Sequence, residues 1–173
     1  MLTWDVIAKF LLVFLMGFIP IAEVRGAIPF AYKFFVIDAK SYTLFSISCI
    51  IGILANLLIA PIILYALDKI EMVILGNRCM PRIIRSLYVK VISYVRNKTK
   101  RYESIEALGL AIFVAVPLPF TGAWTGSLIA YMLGLDKKKS LISIEAGVIC
   151  ASLIVLLAIL IFTSILKIFG IEI

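Results

Sequence analysis

The sequence predicts an all-helical integral membrane protein. The expected architecture is an inverted repeat, each half a re-entrant helical hairpin plus a transmembrane helix, with an amphipathic basic helix joining the halves. Three observations predict it. First, 64% of the 173 residues are hydrophobic, only 16% are charged, and the mean hydropathy is +1.16. A soluble domain carries about 25% charged residues, so too little of this chain suits a water-facing surface. Second, two apolar segments are interrupted by proline and glycine. Third, the halves match at a shift of 99 residues: Pro20 falls on Pro119, Ala31-Tyr32 on Ala130-Tyr131, and Lys40-Ser41 on Lys139-Ser140.

The start, Met1-Leu2-Thr3-Trp4-Asp5, lacks the basic region of a cleavable signal. Residues 6–19 are apolar apart from Lys9. As helix they cover roughly 21 Å, short of the ~30 Å hydrocarbon core. Pro20 and Pro29 bracket a charged break with Glu23, Arg25 and Gly26, and a second short apolar run covers 28–37. Two half-length helices around a break predict a re-entrant hairpin over 6–37. Its irregular backbone is tolerable at membrane depth only where protein or a cavity surrounds it. The alternative is one helix spanning to Ala22, with Glu23 and Arg25 at the interface.

Asp38-Ala39-Lys40-Ser41 reads as a surface turn, and 42–67 as a transmembrane helix with Asn56 near its middle and a kink at Pro61. Repeat 1 thus occupies 1–68. Residues 69–104 form the linker. Nine of the 17 basic residues fall between 69 and 101. Ile84, Leu87, Val91 and Val95 recur there at helical spacing, broadened by Ile83, Tyr88, Ile92 and Tyr94, which predicts an amphipathic helix on a membrane surface. That apolar face argues against nucleic acid as partner. Repeat 2 occupies 105–173: a hairpin over 105–135, broken at Pro117-Leu118-Pro119-Phe120-Thr121-Gly122-Ala123-Trp124-Thr125-Gly126, a turn at 136–139, and a transmembrane helix over 140–169 with Glu145 in its second turn.

Charge discriminates between the topologies. If both broken segments spanned, the basic blocks at 69–101 and 137–139 would lie on opposite sides, against the positive-inside rule. If both are re-entrant, the blocks share the cytoplasmic side and gather 12 of 17 basic residues there. One crossing per half also inverts the second repeat. Broken apolar segments at corresponding positions in two halves are the sequence pointer to a transporter site.

The breaks carry the candidate chemistry. Half-helices starting near Arg25 and near Gly122 would direct unpaired N–H groups at one cavity, favouring an anionic or electron-rich group. Arg25 would grip a phosphate or carboxylate, Thr121 and Thr125 supply hydroxyls, and Gly26 and Gly122 allow close backbone approach. Pro29, Pro117 and Pro119 mark the breaks. Trp124 either lines the cavity or anchors the chain at an interface. Glu23 is an ionisable group inside a membrane, by default a functional candidate. Desolvation favours its neutral form and Arg25 its charged form, opposed pressures that suit a proton carrier; a structural Glu23–Arg25 pair is the alternative. Glu145 is either a second carboxylate of the site or an interfacial one. Asn56 either binds a broken segment or joins two helices.

The chain contains no histidine, no GxxxxGK[ST] phosphate loop, and three scattered cysteines, Cys49, Cys79 and Cys150, read as packing residues. An enzyme and a cofactor are therefore not expected.

At Glu23-Val24-Arg25-Gly26-Ala27-Ile28-Pro29 and at residues 117–126 the sequence resembles the paired motifs of the small multidrug export proteins of prokaryotic membranes, over nearly its whole length. That family is more remotely similar to the DedA/VTT superfamily, a group with two re-entrant hairpins in an inverted repeat. The resemblance implies a plasma-membrane protein with Glu23 and Arg25 as its embedded charged pair. This chain has Trp124 and threonines where the superfamily pattern would place a second arginine. The expected function is secondary transport, proton-coupled export of small molecules. The alternative is a translocase for lipid or polyprenyl phosphate. The expected partners are the lipid bilayer, protons and the substrate. A homodimer would bury lipid-facing breaks, although no residue specifies one.

Overall fold

The computed structural model describes residues 4–76, 81–99 and 103–169. Cys79 and Arg78 of the linker lie outside the described residues, as do Lys100 and Arg101. The described residues are helical throughout, without strands: α1 (Trp4–Phe18), α2 (Glu23–Tyr32), α3 (Tyr42–Leu57), α4 (Ile59–Gly76), α5 (Arg82–Thr99), α6 (Glu103–Ala115), α7 (Ala123–Leu133) and α8 (Lys137–Ile168). A π-helical stretch, Lys33–Ile37, continues α2.

Both breaks expected from the sequence are present. α1 ends at Phe18 and α2 begins at Glu23; α6 ends at Ala115 and α7 begins at Ala123. The halves of each broken segment pack against each other, α1 along α2 and α6 along α7. Both polar turns cap the helix that follows: Ser41 Oγ accepts from Leu44 N, and Asp136 Oδ1 accepts from Lys139 N at 3.0 Å. Lys9, the charge inside the first apolar run, pairs with Asp5 one turn earlier at 2.9 Å.

α3 and α4 form one 35-residue path, Tyr42–Gly76, and α8 has 32 residues. These are the two helices long and apolar enough to cross a membrane among the described residues. The helix expected over 42–67 thus continues to Gly76, and Asp68, Lys69 and Glu71 ride on it instead of closing it. The kink falls at Leu58, between α3 and α4. Pro61 explains it, because proline supplies no N–H to the Leu57 carbonyl one turn back. α8 starts at Lys137, three residues before the expected 140.

The packing follows the 99-residue shift. α1 packs on α3, and α6 on α8; α2 reaches across to α8, and α7 across to α4. Small residues let these helices approach. A Cβ on Gly17 would stand 2.4 Å from the Gly52 carbonyl oxygen, so α1 and α3 touch backbone to backbone. The buried core runs through this crossing, from Val13, Ala27, Ile28 and Phe35 to Val114, Ile144 and Val148.

α5 packs on α7 through buried Ile92 and half-buried Tyr88, while Ile83, Leu87, Val91 and Tyr94 remain exposed. An apolar face is thus exposed beside the basic residues. Of the cysteines read as packing residues, Cys49 is buried but Cys150 is exposed on α8.

Candidate functional site at the two breaks

The breaks meet. Glu23 is 2% exposed and opens α2 with a φ of 49°, a left-handed conformation that costs a non-glycine residue energy and persists only where its surroundings hold it. What holds it is the start of α7. The Glu23 carboxylate accepts the Trp124 N–H, with Oε1 3.4 Å from the nitrogen, and interacts with the Ala123 N–H as well. Gly122, the residue before α7, caps it with no side chain of its own. Glu23 therefore fills the N-terminal acceptor role of a helix 100 residues away in sequence.

Gly122 makes the contact sterically feasible. A Cβ there would lie 1.4 Å from Glu23 Oε2, so the carboxylate occupies the space that any other residue's side chain would take. The two positions, 23 and 122, are 99 apart, the period of the repeat. The equivalent residues of the two halves thus meet, one contributing the acid and the other its absence of a side chain.

The same relation holds two residues on. Arg25 and Trp124 are also 99 apart. Arg25 Nη2 donates to Val116 O at 3.3 Å, just beyond the end of α6, and to Thr121 Oγ1 at 2.9 Å. Trp124 Nε1 donates to Phe18 O at 2.9 Å, at the end of α1, and its ring meets Phe18 edge-on. Trp124 thus satisfies a carbonyl at the end of α1, while Arg25 joins the Leu118 N–H and Thr121 on the Val116 carbonyl at the end of α6. Thr121 supports the Arg25 contact by donating to the Val116 or Leu118 carbonyl, at 2.7 and 2.9 Å. Glu23 and Arg25 hydrogen-bond to separate partners, and their charges still act on each other across the break.

Asn56 lies in the same cluster, fully buried. Its Nδ2 donates to Gly17 O at 3.1 Å, and its amide also interacts with the Glu23 carboxylate. The two roles open for it coincide: it joins α3 to α1 by binding the broken segment itself.

The remaining expected site residues divide. Pro29 and Pro117 line a cavity of about 640 Å³ beside Arg25. Pro29 also leaves the Arg25 carbonyl without its usual donor one turn on. Gly26 packs against Ala22, Thr125 is half-buried in the first turn of α7, and Pro119 is exposed in the turn before it. Glu145 stands half-buried on α8, apart from the residues that contact Glu23 or line the cavity. Trp124 sits in the first turn of α7, at the junction of the breaks. Sequence reasoning missed the cavity's far wall, Ile154 to Thr163 on α8, because nothing in an apolar run distinguishes a cavity face from a lipid face. It also placed a ligand at the α7 N-terminus, which Glu23 occupies. The 99-residue shift already aligned Glu23 with Gly122, and that was the available signal. Among the described residues no cluster of acidic and cysteine side chains could hold a metal ion.

The family model described as "Putative small multi-drug export protein" matches residues 23–154, and the chain belongs to that family. The match begins at Glu23, the first residue of α2, and includes both half-helices that start at the breaks. Neither the curated proteins nor the solved structures compared with the chain give a match. The family name denotes a transport role, and the two long apolar helices suit a membrane protein.

Proposed function

We propose that this member of the small multidrug export family is a proton-coupled secondary transporter, with the Glu23 junction as its coupling element. The observation that carries the reading is the burial of one carboxylate between two broken helices, held by the N-terminus of the opposite half. Adding a proton to Glu23 removes the charge that the α7 N–H groups and Arg25 stabilise. The lock between α2 and α7 then weakens, so protonation and the relative position of the halves become linked equilibria. A buried acid with such a lock suits exchange of a proton for a substrate across the membrane.

The proposed topology is an inverted repeat of two re-entrant hairpins. Three observations support it. Each hairpin's halves pack side by side. Lys137, at the start of α8, pairs with Asp68 near the end of the first spanning helix. Lys40 shares a cavity with Lys167 at the other end of α8, and 32 helical residues separate these ends by about 48 Å. The basic linker then lies on the cytoplasmic side with Lys137.

Glu23→Gln tests the coupling. In proteoliposomes carrying a pH gradient, the variant is expected to insert and fold but lose gradient-driven substrate movement. Unchanged uptake would reject Glu23 as the coupling group. The lipid-phosphate alternative gains support from one feature, Arg25 as the charged residue lining the cavity.

A further inference from the structure

The cavity beside Arg25 adjoins a second cavity near the C-terminal end of α8. Its walls Tyr32 and Thr163 also line a smaller cavity of about 230 Å³ that contains Lys40 and Lys167. Arg25 precedes Tyr32 by seven residues on α2, about 10 Å along the helix. Three cationic side chains therefore border one path, two at its outer end and one at its inner end. Among the described residues no acidic side chain lines either space. The path is also open sideways. Ile154 and Phe162 line it from α8 yet remain 44% and 61% exposed, on a helix long enough to cross the bilayer.

The equivalent mouth of the other half is different. The shift of 99 carries Tyr32 onto Tyr131, Val36 onto Leu135 and Lys167 onto Asp68, when the α8 residue is shifted back. These residues line a cavity of about 280 Å³ at the other end of α8. There Asp68 is paired with Lys137, and Tyr131 donates to Glu71 Oε2 at 2.7 Å. That mouth answers its own charges internally. Among the described residues the Lys40–Lys167 mouth presents one sign only, and a single-sign cleft with low-dielectric walls concentrates the opposite charge.

We propose that Lys40 and Lys167 form an outer anion station, and that the cleft takes an amphiphile with an anionic head whose chain stays in the bilayer. The head passes Tyr32 and Thr163 to reach Arg25, while the chain rests against the open side of α8. The proposal rests on the transport reading for its purpose, but its evidence is the charge and shape of the cleft.

Binding is tested on the full chain in phosphatidylcholine nanodiscs, by equilibrium dialysis against empty discs. The probes are dodecyl phosphate and dodecyltrimethylammonium, which share a chain and differ in sign. Dodecyl phosphate is expected to bind about tenfold tighter or better. The double variant K40Q/K167Q should weaken it about tenfold and flatten its salt dependence, and K40R/K167R should restore both. R25Q should remove measurable binding. Equal or tighter binding of the cation would overturn the proposal, as would unchanged binding in K40Q/K167Q. Two competitors identify the source of the ligand. Phosphatidic acid within the disc should displace the probe; inorganic phosphate displacing it equally well would overturn the amphiphile. Binding is read without transport, so the two readings fail separately. Normal dodecyl phosphate binding with no proton-linked movement would break the transport reading alone. Proton-linked movement with no anion preference would break this one alone.

Discussion

The two breaks occupy equivalent places in the repeat and use opposite chemistry. In the first, positions 23 and 25 are an acid and a guanidinium; in the second, positions 122 and 124 are glycine and tryptophan. The carboxylate meets the glycine, whose missing side chain makes room for it. Arg25 and Trp124 do a similar structural task, each donating to a carbonyl where the other half's first helix ends. The comparison teaches that the repeat preserves a hydrogen-bond plan and divides the charge unequally. A fully symmetric pair would bring two carboxylates together, or leave α7 without an acceptor. One acid against one glycine gives a single carboxylate at the junction.

The largest expected effect comes from filling the glycine. Gly122→Ala forces its Cβ into the Glu23 carboxylate, and should cost roughly 3 kcal/mol or more, read as a large fall in the melting temperature of detergent-solubilised protein. If the two positions are complementary, E23A/G122A should recover most of that stability, because the clash disappears with the acid. Additive losses would break the comparison.

Topology follows. Single cysteines at position 38 and position 138 should label from opposite faces of the membrane, since they sit in turns near opposite ends of α8. Labelling from one face would reject the proposed inverted repeat.

A smaller effect isolates the tryptophan's role. Trp124→Phe retains the ring against Phe18 but loses the indole N–H to the Phe18 carbonyl. The expected loss is about 1 kcal/mol, by thermal unfolding. A value near zero would mean that Trp124 only fills space and is no counterpart of Arg25. The smallest effect is expected at the paired mouth. Asp68→Asn removes a partly exposed ion pair with Lys137 and should change stability by about 1 kcal/mol or less, fading with salt. A substantial change would make that mouth a locked gate and not a solvated face.

The sequence by itself determined the membrane class, because 64% apolar residues leave too few charges for a water-facing surface. It determined the positions of both breaks, since Pro20, Pro117 and Pro119 cannot continue a hydrogen-bonded helix. The shift of 99 was legible in repeated residues, and the polar turns at 38–41 and 136–139 announced the caps that Ser41 and Asp136 provide. The end of the first spanning helix was not legible: Asp68, Lys69 and Glu71 resemble a terminus, yet the helix continues to Gly76, where Asp68 meets the start of α8 and Glu71 meets α7. Nor was the partner of Glu23. Sequence spacing suggested Arg25, two residues away, whose charge does act on the carboxylate, but it held no sign of the hydrogen-bond donors. Only the meeting of the first residue of α2 with the start of α7 decided that the carboxylate caps the opposite half. A helix N-terminus offers N–H groups in a fixed direction, and which acid reaches them depends on how distant segments are stacked.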